Sequence, residues 1–306
     1  MAQGIPQSLL DLQRRCNRSS ADRWSYFAEH RHRVTELALD AGGRSLAVLG
    51  AGNGNDVDLD VLGGRFGEIH LIDLDPDAVQ RAHVRQPTDV ARKLVLHAPV
   101  DLSGALDRLE GFTASFPDRE QLAALPMASV ERVLAALPGP FDAVLSACLL
   151  SQMLHGWAVA LQPRHPHLPI LSCALALAHV RSVALLVAPG GTGMLVTDMA
   201  STEVAGGQDP WADRDLPALA TDLERTHRCA SGTGPAFLRR VLEDDAVITP
   251  LLAGPPRPVG PWLWRFGKTR TYLVHALVFQ RAPMPVPSLR QILTTRSSHR
   301  SSRRPT

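Results

Sequence analysis

A single junction narrows what this chain can fold into: residues 45–49 (SLAVL) run without a break into Gly50-Ala51-Gly52-Asn53-Gly54. A short apolar run of this kind reads as a strand buried on both faces of a parallel sheet. Three glycines in five residues let the backbone turn sharply and approach a ligand closely. The pattern recurs downstream. Residues 69–72 form a second apolar run ending at Asp73, followed by a helix over 76–85 with proline in its first turn. A third run, 94–100, ends at Asp101; 104–137 is helical and loop-like; FDAVLS at 141–146 is a fourth. A long helix over 170–187 stops at Pro189-Gly190-Gly191, and GMLV at 193–196 is a fifth strand closing at Asp198. Strands alternating with helices predict a mostly parallel sheet between helical layers.

The flanks are read in the same way. Residues 20–39 predict one helix, with Ser19 and Asp22 in capping-box-like positions, ending at Gly42-Gly43. Residues 201–215 read as a loop, 235–242 as a helix and 250–260 as a Pro- and Gly-rich connection. The runs 262–266 and 272–279 flank Gly267-Lys268-Thr269 as a hairpin. The end of the chain, 294–306 (TTRSSHRSSRRPT), is nearly without apolar residues and reads as disordered.

With 306 residues, 45% of them hydrophobic, the chain has ample material for a buried core. A net charge of +2 is too balanced to imply a nucleic-acid or membrane-surface partner. Lys93 and Lys268 are the only lysines among 32 basic residues, a bias that fits a GC-rich bacterial genome. The four cysteines form no C-x-x-C and read as reduced cytoplasmic thiols. The N-terminus lacks the charged and apolar regions of a secretory signal. The apolar stretch 168–187 has the length of a membrane span, but His179 and Arg181 in its middle make it a buried helix. His165-Pro166-His167 has no neighbouring Cys, Asp or Glu ligand, so no metal site is expected.

The glycine loop carries the chemistry. Its spacing is G-x-G-x-G, and Asn55 stands where a dinucleotide fingerprint has its third glycine. Asp73 closes the second strand about twenty residues on, where a carboxylate can accept hydrogen bonds from both ribose hydroxyls of an adenosine cofactor. Asp101 is placed to take an adenine's exocyclic amine, with Leu74 and Leu102 to pack its ring. A tight turn explains a glycine loop alone; it does not explain three such features in this order.

These segments resemble the class I S-adenosylmethionine-dependent methyltransferases: GAGNG after the first strand, HLIDLDPDAV at the second, APVDL at the third, FDAVLSACLLSQML at the fourth and LLVAPGGTGMLVTDM before the fifth. WLWRF and TYLVHALVF resemble that family's sixth strand and antiparallel seventh. The resemblance implies an α/β fold, a seven-stranded mostly parallel sheet flanked by helices with the last strand antiparallel. It divides the chain into an N-terminal helical lid (1–42), a Rossmann-like domain (43–282) and a disordered basic tail (283–306). It implies S-adenosylmethionine as cofactor, bound by Gly50, Ala51, Gly52, Asn53, Gly54, Asp56, Asp73, Leu74, Asp101, Leu102 and Ser146. The family usually has an acid two positions before the first glycine to hold the cofactor's amine; Val48 stands here, and the role falls to Asp56 or Asn53.

For catalysis the resemblance points to His155, just after the fourth strand, and to Tyr26 and His30, in a segment that either folds over the cofactor or packs as a plain helix. The implied reaction is methyl transfer to an oxygen or nitrogen of a small molecule or short peptide, as in natural-product biosynthesis. No N-P-P-Y-like element follows the fourth strand, and no basic, aromatic-interleaved segment suits RNA. Two alternatives are a non-catalytic cofactor-binding protein, motivated by Val48, and an NAD-dependent oxidoreductase, opposed by Asn55.

Overall fold

The computed structural model describes residues 5–162, 165–205 and 208–283. The chain opens with α1 (Gln7–Ser20), a 3-10 turn at Trp24–Phe27 and α2 (Ala28–Ala41). Of the helix expected over 20–39 only 28–39 is helical: Ser20 ends α1, and 21–27 are turn and 3-10. The expected cap Ser19 lies inside α1 with its hydroxyl on the Cys16 carbonyl, while α2 has no side-chain cap. The Ser20 hydroxyl bonds back to the carbonyls of Cys16 and Asn17 at the end of α1. That first helix escapes the sequence because it is polar and anchors itself with few apolar positions, Leu9 among them.

The α/β unit follows with β1 (Ser45–Leu49), α3 (Leu59–Arg65), β2 (Glu68–Ile72), α4 (Pro76–Val84), the short α5 (Thr88–Ala91) and β3 (Leu94–His97). Next are α6 (Leu109–Ala114), α7 (Arg119–Ala136), β4 (Phe141–Ala147), α8 (Leu149–Leu161) and α9 (Leu168–Leu186). The chain continues through β5 (Val187–Glu203), α10 (Leu216–Arg225), α11 (Pro235–Asp244), β6 (Arg257–Phe266) and β7 (Arg270–Gln280). The strands form one seven-stranded sheet in the order β3-β2-β1-β4-β5-β7-β6, with β7 antiparallel to both neighbours and the rest parallel.

Four boundaries differ from expectation, one of them because β6 starts at Arg257, inside the expected 250–260 connection. β3 stops at His97, short of Val100, because Pro99 has no N–H to continue the ladder. β5 begins at Val187, so Pro189-Gly190-Gly191 lies inside the strand as an irregularity in its pairing with β4. A side chain at Gly191 would stand 2.4 Å from the Asp142 carbonyl, which explains the residue. β5 also runs on through Glu203, pairing with Arg270 of β7, so the start of the expected 201–215 loop is strand.

Alternate residues of each strand feed opposite layers. Ala47 and Leu49 pack toward α7, α8 and α9, whereas Leu46 and Val48 pack toward α2, α3 and α4. Among the described residues α9 alone has the length and apolarity to cross a membrane. Here it is packed against α7, α8 and β5. His179 meets the Ser146 hydroxyl at 2.8 Å, and Arg181 donates to both oxygens of Asp245 at 3.2 and 2.6 Å. The imidazole and the guanidinium of this helix thus both have partners inside the protein. Of the 283–306 tail, residues 284–306 lie outside the described residues.

Candidate functional site

The strand order reverses between β1 and β4, and in open α/β sheets ligands bind in the crevice at such a reversal, outside the carboxyl ends of the strands. The glycine loop lies there, and a cavity of about 740 Å³ opens above it. Gly52 has φ +48°, and a side chain on it would come 3.3 Å from Asn17 Oδ1 and 4.0 Å from Asp73 Oδ2. The bare backbone keeps open the space between α1 and Asp73.

Asp73 is buried where β2 ends. Its Oδ2 accepts from the Gly52 amide at 2.8 Å and its Oδ1 from the Asp75 amide at 2.9 Å. Burial pushes its pKa up to about 6 against the lowering effect of these amides. Asp101 and Leu102 line the same cavity, as does Leu74. The Asp101 carboxylate also shapes its own loop, with Oδ1 accepting from the Ser103 amide and hydroxyl and Oδ2 from the Leu106 amide.

Several expected site residues are elsewhere. The Asn53 side chain reaches the cavity wall, but its amide donates to the Asn17 carbonyl at 2.7 Å and to Ser20 Oγ at 3.2 Å, while its oxygen accepts from Arg81. Asn55 donates to the Ser20 carbonyl at 2.9 Å. These asparagines fasten α1 to the loop, which leaves Asp56, on the cavity wall, as the candidate for the missing acid. Val48 is buried in the apolar layer. Ser146 turns away from the cavity to His179 in the layer beneath. Ala51 and Gly54 form the inside of the loop, Gly54 lying against Leu59 and Ala82.

Tyr26 is exposed and packs edge-on against Phe266, outside the cavity. His30 is fully buried below the cavity, stacked on Trp264. Its Nδ1 faces the Trp262 indole N–H at 3.3 Å, and an indole nitrogen only donates, so the imidazole proton sits on Nε2. That nitrogen lies 3.2 Å from Asp56 Oδ1 and 3.8 Å from Cys148 Sγ. His30 therefore positions Asp56 rather than touching a ligand. His155 stands exposed on α8 at the cavity rim.

The cavity also holds residues the sequence reading passed over. Asp198 at the end of the apolar half of β5, Ser151 on α8 and Tyr272 on β7 all face it. An available signal was the rule that had found Asp73 and Asp101, a carboxylate closing an apolar strand. α1 supplies Leu9, Leu12, Cys16 and Asn17 to the wall, and Asn17 donates to the fully buried Asp75 at 3.0 Å. Asn17→Ala should lower stability by about 2 kcal/mol in urea denaturation, since it strips a donor from a buried carboxylate. A loss below 0.5 kcal/mol, on the order of a surface change, would contradict this role for the bond.

Five parallel strands reversing at β1 and β4, followed by an antiparallel strand inserted before the outermost one, make this the class I methyltransferase fold. No family model matches the chain, and no curated protein does. It is similar to the structure of an O-methyltransferase family protein from Burkholderia thailandensis (16% identity, TM-score 0.43), covering 89% of this chain and 60% of that one. It is also similar to the O-methyltransferase TomG from Streptomyces achromogenes in complex with SAM (16%, TM-score 0.40, 91% and 92% covered). A third similar structure is the N-methyltransferase NodS from Bradyrhizobium japonicum WM9 (13%, TM-score 0.37, 86% and 99% covered).

Proposed function

We propose that this protein is an S-adenosylmethionine-dependent methyltransferase acting on an oxygen or nitrogen of a small molecule or short peptide. The observation that carries the reading is the line of carboxylates Asp56, Asp73 and Asp101 along one cavity, with the unsubstituted Gly52 beside Asp73 at the sheet's reversal. The residues fit the cofactor. Asp73 would accept from ribose hydroxyls, Leu74 and Leu102 would flank an adenine, and Asp56, on the cavity wall and held by His30 at 3.2 Å, would face an ammonium. When bound, this cofactor supplies an activated methyl group on a sulfonium. The chain's task is then to hold the acceptor in line and keep water out. Residues 5–42 serve as the lid through α1, whose inner side is cavity wall.

Isothermal titration with S-adenosylhomocysteine tests the reading, and absence of binding to the wild-type protein would overturn it. Asp73→Ala should weaken binding by roughly 1 to 3 kcal/mol, because a buried hydrogen-bonding partner is lost. The pH dependence has a definite sign. Ribose hydroxyls donate to the ionised carboxylate, so the bound state favours loss of the Asp73 proton. Affinity should be level above pH 7 and fall as pH drops through about 6. In Asp73→Ala that inflection should vanish.

A further inference from the structure

We propose that Asp198 receives the proton of the methyl acceptor, so that the acceptor is a hydroxyl or amine seated at the end of β5 and not at the α8 rim beside His155. This inference rests on the methyltransferase reading. Asp198 lines the cavity, and the Ser151 hydroxyl donates to its Oδ1. Among the described residues no other side chain donates to it, so the second oxygen can accept from an acceptor's O–H or N–H.

The charged and titratable groups around it are Asp56 from the loop after β1, His30 from α2, Cys148 at the end of β4, and Tyr272 from β7. Burial raises the pKa of Asp198, opposed by the Ser151 bond and by His30, with Asp56 adding to the rise. A carboxylate held out of water in this way is a stronger base than an exposed one. The competing groups are unsuited. The buried Cys148 thiol is pushed well above its ordinary range, chiefly by desolvation and then by Asp198. Tyr272 is likewise raised, first by burial and then by Asp198, and stays a donor that can orient the acceptor. His155 is exposed to water.

The step balances. The acceptor's proton passes to Asp198 as the freed electron pair on oxygen or nitrogen forms the new bond to the methyl carbon. The carbon–sulfur bond breaks, its electron pair stays on sulfur, and the sulfonium charge disappears. The proton on Asp198 leaves to solvent after product release.

A base that takes the acceptor's proton would stand near the transferable methyl and would therefore feel the difference between a sulfonium and a neutral thioether. The test compares the affinities of S-adenosylmethionine and S-adenosylhomocysteine by calorimetry in wild type and Asp198→Asn, with no acceptor needed. Asparagine keeps an oxygen for Ser151 and removes the charge. S-adenosylmethionine should bind roughly tenfold more weakly to the variant, the scale of one partly screened charge pair, with S-adenosylhomocysteine within twofold of wild type. A second measurement needs no variant: in wild type the ratio of the two affinities should move against S-adenosylmethionine as Asp198 protonates on acidification. Asp73 and Asp56 face groups common to both ligands and cancel in that ratio. An unchanged ratio in the variant and across pH would overturn the inference alone. Failure of wild type to bind either compound would overturn the methyltransferase reading and this inference with it.

Discussion

Gly52→Val should reduce binding of S-adenosylhomocysteine at least a hundredfold, near 3 kcal/mol at about 1.4 kcal/mol per tenfold. Two costs act together. The residue sits at φ +48°, where a β-branched side chain loses on the order of 1–2 kcal/mol. The new Cβ also starts 3.3 Å from Asn17 Oδ1, so the valine methyl groups extend into the space between α1 and Asp73. Gly52→Ala, with a single methyl group, should fall between valine and wild type. Wild-type affinity in Gly52→Val would mean that the ligand lies elsewhere than over this loop.

The largest effect on stability is expected at the opposite end of the sheet. Asp245 accepts from Arg181 through both oxygens, and its Oδ1 also accepts from the amides of Val247 and Ile248. Both partners of the pair are largely buried. Asp245→Ala strips the arginine of its counter-charge inside the protein, and breaking one side of such a pair costs about 3 kcal/mol or more. The drop should be read from the urea midpoint at unchanged slope. Arg181→Met should cost less, because the remaining carboxylate keeps its two amide donors. S-adenosylhomocysteine affinity should be unaffected in both, since neither residue lines the cavity. Equal, small losses would show that the pair contributes no more than a surface contact.

The strands that end at the cavity were legible because each is a short apolar run closed by a polar residue; Asp73 stands directly after β2 as that pattern put it, whereas Asp101 lines the cavity although β3 already stops at His97. The hairpin of β6 and β7 was legible through Gly267-Lys268-Thr269. What the pattern could not supply was facing. In a strand covered on both sides, neither face is marked by polarity, so Ser146 read as a cavity residue although it points to His179. Tyr26 and His30 share a segment, but the 3-10 turn before α2 puts one outside and buries the other. The asparagines of the loop read as ligand contacts because their partners, Asn17 and Ser20, lie more than thirty positions away in sequence, on a helix too polar to announce itself. Asp198 closes the expected fifth strand, yet it was left out of the site because no cofactor contact was assigned to that position; β5 in fact runs past it to Glu203.

The fastening of α1 reaches beyond architecture. Four hydrogen bonds tie Asn17 and Ser20 to Asn53, Asn55 and Asp75, so the roof of the cavity is riveted to its floor. By reciprocity, whatever steadies the floor steadies the roof by the same factor. In the methyltransferase proposed above, a ligand that steadies the glycine loop would therefore hold down this helix end as well.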